Sequence, residues 1–176
     1  DVAVTPSEHF NTVVYTGNGS TQSVSNVGFQ PDWVWLKNRS VARNHGTYDA
    51  IRGATKDLMT NNTDAETTRS TGLTAFDSDG FSLGSHNNVN ENTADFVSWN
   101  WKANGSGSSN TTGSINTTAT SANVDSGFSI STWTGTGSNA TVGHGLSKAP
   151  EMIIIKNRDS SANWPIYHHK NTSAPE

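Results

Sequence analysis

The chain has 176 residues, no cysteine, 15% charged residues and a formal net charge of −4. That balance excludes a disulfide framework and thiolate chemistry. With no run of Lys or Arg it offers no footprint for a nucleic-acid backbone, and no stretch approaches the roughly 20 apolar residues of a membrane-crossing helix. Ser, Thr, Asn and Gly fill 82 positions; they weaken helices but suit short strands and tight corners. The expected fold class is therefore all-β, an antiparallel β-sandwich or jelly roll, with six Trp and six Phe supplying most of the core.

In chain order, Phe10 to Thr16 reads as a strand entering a Thr-Gly-Asn-Gly turn. From Asp32 to Arg39, Trp33, Trp35 and Lys37 alternate with Val34, Leu36 and Asn38. That is the period of a strand with two unlike faces, and its tryptophans are expected in the core together with Trp99 and Trp101. Thr63 to Ser70 carries a weak helical signal. Asp77-Ser-Asp-Gly80 reads as a turn feeding a strand from Phe81, Asn87 to Asn92 as a solvated loop, and Phe96 to Lys102 as a closing strand.

Internal repetition organises the rest. Phe10-Asn-Thr-Val-Val-Tyr-Thr-Gly-Asn-Gly19 recurs as Phe128-Ser-Ile-Ser-Thr-Trp-Thr-Gly-Thr-Gly137, and Pro31–Arg39 recurs as Pro150–Arg158. Gly28 answers Gly145 and Tyr48 answers Tyr167, all at offsets of 117 to 119 residues. Residues 1–103 are read as a first β module, 104–126 as a Gly/Ser/Thr/Asn-rich linker, and 127–176 as the first half of a second copy. The run Met152 to Ile155, apolar on both sides, predicts a central strand buried on both faces. The second copy stops near the equivalent of Asp57, so a fragment of a longer polypeptide, or completion by a neighbour's strand, is expected.

Candidate sites are few. Tyr15 and Trp133, beside their glycine turns, are the candidate ligand-facing aromatics. Asp77 and Asp79 resemble part of a calcium loop, although a plain Asp/Gly turn accounts for them more simply. No other cofactor is indicated. Asn104, Asn110 and Asn116 are sequons in the linker and the most accessible candidates for glycosylation. Lys37-Asn38-Arg39 and Lys156-Asn157-Arg158 read as strand ends where Asn turns the chain, with an anion or sugar contact as the alternative. The six histidines show no metal-ligand spacing, and no nucleophile elbow, P-loop or dinucleotide fingerprint occurs, so an enzyme is not expected.

Five segments together resemble an uncharacterised repeat family of bacteriophage virion proteins of tail or tail-fibre type. They are Tyr15–Ser20, Val27–Arg39, Phe76–Phe81, Phe96–Lys102 and Gly143–Leu146. The resemblance implies a sandwich in the style of lectin-like folds, no inherited catalytic residues, and a virion or extracellular location. The expected function is a structural or adhesive tail or fibre component that contacts copies of itself, other virion subunits, or host-surface carbohydrate. The alternatives are a subunit of an extracellular filament assembled by strand exchange and a tailspike-type glycan-degrading enzyme.

Overall fold

A computed structural model describes residues 4–171. Its strands are β1 (Phe10–Thr16), β2 (Gln22–Val24), β3 (Trp33–Asn38), β4 (Gly46–Asp49), β5 (Lys56–Met59), β6 (Thr67–Thr68), β7 (Leu73–Asp77) and β8 (Gly80–Leu83). One helical turn, α1 (Asn87–Asn90), precedes β9 (Asp95–Trp101). The chain continues through β10 (Ala119–Asn123), β11 (Phe128–Thr132), β12 (Met152–Ile154) and β13 (Ile166–His168). Every strand pairing is antiparallel. The fold is all-β, as the composition implies.

The first nine strands form an unequal sandwich. A six-stranded sheet of order β1-β9-β3-β4-β5-β6 faces a three-stranded sheet of order β2-β8-β7. Between them, Val34, Leu36 and Tyr48 pack on Val24, Leu73, Phe81, Leu83 and Val89. Each such fully buried side chain contributes about 1.5–3 kcal/mol of transfer free energy. The larger sheet also turns Asn38, Ser98 and Asn100 inward, almost fully buried. They are tolerated because they bond to backbone: Ser98 Oγ donates to the Val13 carbonyl and Asn100 Nδ2 to that of Asn11.

This corrects the expected orientation of the strands. β3 buries Val34, Leu36 and Asn38, so Trp33 and Trp35 lie on the opposite, outer face, half-buried, with Trp99 and Trp101 beside them. Two local expectations also fail. Thr63–Ser70 contains the short strand β6 rather than a helix. The stretch 87–92, read as a solvated loop, holds α1, whose Val89 and Asn90 are completely buried.

The segment read as a linker is folded. β10 pairs with β11, Ser108 bridges Thr120, Ile115 bridges Val142, and Thr117, Thr120 and Ser121 are buried. Hydroxyl-rich chain achieves this by bonding to itself: Thr117 Oγ1 accepts from the Asn110 amide, and Ser121 Oγ from that of Asn104.

The C-terminal hairpin repeats the geometry of β3–β4. Met152 pairs with His168, Ile153 with Tyr167 and Ile154 with Ile166, where, 119 residues earlier, Trp33 pairs with Asp49, Val34 with Tyr48 and Trp35 with Thr47. Asn38 Oδ1 accepts from the amides of Ser40 and Val41, and Asn157 Oδ1 accepts from those of Asp159 and Ser160. The expected double burial of this strand is absent, however. Met152, Ile153, Ile154 and Ile155 are each 39–52% exposed, because among the described residues β12 pairs only with β13.

Candidate functional site

The alternation that buries Val34 and Leu36 builds an aromatic face on the outside of the larger sheet. Strand register sets its rows. Phe10, Trp101 and Trp33 lie side by side across β1, β9 and β3; Thr12, Trp99 and Trp35 form the next row; Val14, Val97 and Lys37 the third. The rings touch in a continuous series: Trp33 to Trp101 at 4.3 Å between centroids, Trp33 to Trp35 at 6.1 Å, Trp35 to Trp99 at 5.5 Å, and Phe10 to Trp101 at 4.9 Å.

One end of this face is covered. Phe128, at the start of β11, stacks on Trp33 at 5.9 Å and on Trp101 at 6.2 Å. The row of Thr12, Trp99 and Trp35 lies beyond it, bordered by exposed Val14 and by Lys37, whose ammonium donates to the Asn38 carbonyl. Trp33 Nε1 donates to Thr47 Oγ1. The buried Trp35 indole N–H has no hydrogen-bond partner among the described residues. His45 stands near Lys37; burial, then the lysine charge, holds its pKa below the ordinary imidazole value, which favours the neutral ring.

Indole faces are apolar and electron-rich, and they attract flat surfaces that present polarised C–H bonds, as one face of a pyranose ring does. Most large aromatic groups of a small sandwich lie inside; here four tryptophans stand on the outer side of the sheet while aliphatic and aromatic side chains from both sheets fill the core.

The expected site residues are not brought together. Tyr15 is a correction: its ring lies inside the sandwich, stacked on Phe96 at 5.2 Å and edge-on to Phe81, and its hydroxyl donates to the Val89 carbonyl. Burial, reinforced by Tyr48, raises its pKa well above the ordinary phenol value. Trp133 is 37% exposed and lies outside the aromatic cluster. Asp77 and Asp79 flank a tight turn and hold its neighbours by hydrogen bonds. Asp79 accepts from the backbone amides of Asn26 and Gly28, and Asp77 accepts from Ser82 Oγ. Among the described residues no three His, Asp or Glu side chains group closely enough to hold a metal ion. Asn104 and Asn116 are exposed, whereas Asn110 is half-buried and its side-chain oxygen accepts from Thr112.

Sequence reasoning missed the outer aromatic face, although its signal was present: two strands each carrying Trp-Xaa-Trp opposite a face that alternates with it. A charged cluster lies toward the β4–β6 edge of the same sheet. Arg52 is nearly buried and bonds Asp49, Glu66 and the carbonyls of Thr47 and Lys56. Arg158 from the C-terminal segment grips the same Glu66 with two hydrogen bonds of 2.9 and 2.8 Å. A shallow cavity of about 410 Å³ between the loops at Asn110–Gly113 and Thr141–Leu146 contains one titratable side chain, His144, whose Nδ1 accepts from the Leu146 amide.

A family model described as "Domain of unknown function (DUF7483)" matches residues 5–176. No curated protein and no solved structure matches the chain.

Proposed function

We propose, from the premise that this chain belongs to the DUF7483 family, that it is a structural and adhesive β-module of a phage virion, in a tail or fibre. In this reading its outer aromatic face meets host-surface glycan. The observation that carries it is the placement of Trp35 and Trp99 on the outer side of the six-stranded sheet, away from the core. Rigid, preformed aromatic surface binds with little loss of side-chain freedom, which suits weak contacts repeated along an assembly. The virion setting is supported by the resemblance of the Val27–Arg39 and Phe96–Lys102 motifs to tail-type repeats, and the setting makes the location virion or extracellular.

The test is retention of the chain on host-surface polysaccharide, compared among wild type, Trp35→Ala and Trp99→Ala. Because these rings lie outside the sandwich core, the variants are expected to fold while losing at least about tenfold in retention, the equivalent of one lost stacking contact. Unchanged retention in both variants refutes the assignment of the face. Release of new reducing ends from the polysaccharide replaces the adhesive reading with a glycan-degrading one.

A further inference from the structure

The C-terminal hairpin displays an apolar surface that its counterpart keeps covered. In the sandwich, Val34, Leu36 and Tyr48 are completely buried. The residues 119 positions later, Ile153, Ile155 and Tyr167, are 39%, 40% and 41% exposed. The pairing register of the two hairpins is the same, so the difference lies in what surrounds them. β3 is held between β4 and β9, whereas β12 has β13 on one side and, among the described residues, no strand on the other.

The backbone shows which groups await a partner. The Ile155 amide donates to the Pro165 carbonyl and the His169 amide to the Glu151 carbonyl, so the odd-numbered residues here point their backbone groups at β13. By the alternation of an antiparallel ladder, Met152, Ile154 and Lys156 point theirs away. Just past the end of β3 the Arg39 amide donates to the Asp95 carbonyl, so by the same alternation Trp33, Trp35 and Lys37, the counterparts of those three residues, point their backbone groups at β9. An unpaired, apolar edge of this kind is a template for strand addition.

We propose that the free edge of β12 is a strand-acceptor site for an extended polypeptide segment carrying the alternation of β9, Phe-Val-Ser-Trp-Asn-Trp. The incoming strand runs antiparallel to β12 in the β3–β9 register. Met152 then stands opposite a residue in the place of Trp101, Ile154 opposite one in the place of Trp99, and Lys156 opposite one in the place of Val97. The inward Phe of the added strand then stands opposite Asn157 and next to Ile155, as Phe96 stands opposite Asn38, and its inward Ser and Asn stand opposite Ile155 and Ile153, as Ser98 and Asn100 stand opposite Leu36 and Val34. A second copy of the chain is a poorer donor, because its β9 is already clamped between β1 and β3 with Phe96, Ser98 and Asn100 fully buried. The inference does not depend on glycan binding.

The test uses the whole 176-residue chain and a fluorescent synthetic peptide of the sequence Ala94–Lys102, followed by anisotropy. Saturable binding is expected. In the β3–β9 register the amides of Val97 and Trp99 are those that face β3, so a peptide N-methylated at both is expected to bind at least about tenfold more weakly, with the protein left unaltered. Ile154→Pro removes an amide on the free edge and none that faces β13, and is expected to weaken binding by a similar factor. Absence of saturable binding, or equal binding of the methylated peptide, overturns the proposal. Self-association of the chain alone that Ile154→Pro abolishes overturns the choice of occupant in favour of a second copy.

Discussion

Asn90 is the most informative single residue to remove. Its side chain is fully buried and closes the turn between β1 and β2 onto α1. It accepts from the Asn18 amide at 2.8 Å and donates to the Ser20 carbonyl at 2.6 Å, the Gly84 carbonyl at 2.9 Å and Asn18 Oδ1 at 3.1 Å. Asn90→Ala strands the Gly84 carbonyl in the interior, which costs the full desolvation penalty of about 1–3 kcal/mol. Asn18 and Ser20 are exposed, so water replaces part of what they lose, at about 1 kcal/mol each. The expected total is about 3–5 kcal/mol, a large share of the 5–15 kcal/mol typical of a domain. Asn90→Asp keeps one acceptor but sets a carboxylate against two carbonyls, and is expected to be no better. Urea unfolding followed by tryptophan fluorescence reads the loss as a lower midpoint at unchanged slope. A loss below about 1 kcal/mol refutes the reasoning and returns residues 87–92 to a solvated loop.

Three further outcomes are expected. At Gly80, φ is +154° and an added Cβ would stand 1.9 Å from the Val24 carbonyl oxygen; Gly80→Ala should prevent folding or cost more than about 3 kcal/mol, measured by urea unfolding. At Gly53, φ is +91° with open space around the missing Cβ, so Gly53→Ala carries backbone strain alone and should cost about 1–2 kcal/mol in the same assay. At Glu66, burial raises the carboxyl pKa, but hydrogen bonds and charge from Arg158 and Arg52 outweigh it and leave it below the ordinary value. A depressed carboxylate stabilises the folded state above the ordinary range and loses that contribution as pH falls through its folded value; the stability advantage over Glu66→Gln, followed by thermal unfolding, should therefore shrink on acidification and stay flat above neutrality.

Strands were legible because their chemistry is local. Trp33–Asn38 and Asp95–Trp101 alternate, Asp77–Gly80 is a turn whose glycine has positive φ, and Gly19 and Gly137 adopt the left-handed backbone at equivalent places. Which face turns inward was not legible. Ring size favoured a tryptophan core, and the competing face offered Asn38, Ser98 and Asn100, residue types rarely buried. Their acceptability depends on hydrogen-bond partners that lie far along the chain, such as Glu91 for Asn38 and Val13 for Ser98. Tyr15 was misplaced for the same reason: its partners, Phe81, Val89 and Phe96, are all more than sixty residues away.

How the C-terminal hairpin is held explains why its apolar surface stays open. A two-stranded hairpin is marginal by itself in water, and this one has no buried side chain in either strand. Its attachment to the sandwich is polar. Trp164 Nε1 donates to the Asn62 carbonyl, the Lys156 ammonium to the Thr63 carbonyl, the Ala162 amide to the Thr63 carbonyl and the Glu66 amide to the Arg158 carbonyl, beside the two-bond grip of Arg158 on Glu66. At about 1 kcal/mol net for each neutral bond and about 1.5–3 kcal/mol for those to charged groups, the attachment amounts to several kcal/mol, enough to offset much of the hairpin's ordering entropy. Hydrogen bonds from its end loops supply that anchorage without consuming either face of the strands. Val34, Leu36 and Tyr48 are fixed by burial and are therefore unavailable. Ile153, Ile155 and Tyr167 are fixed by polar contacts at a distance, and their surface remains free to receive a strand.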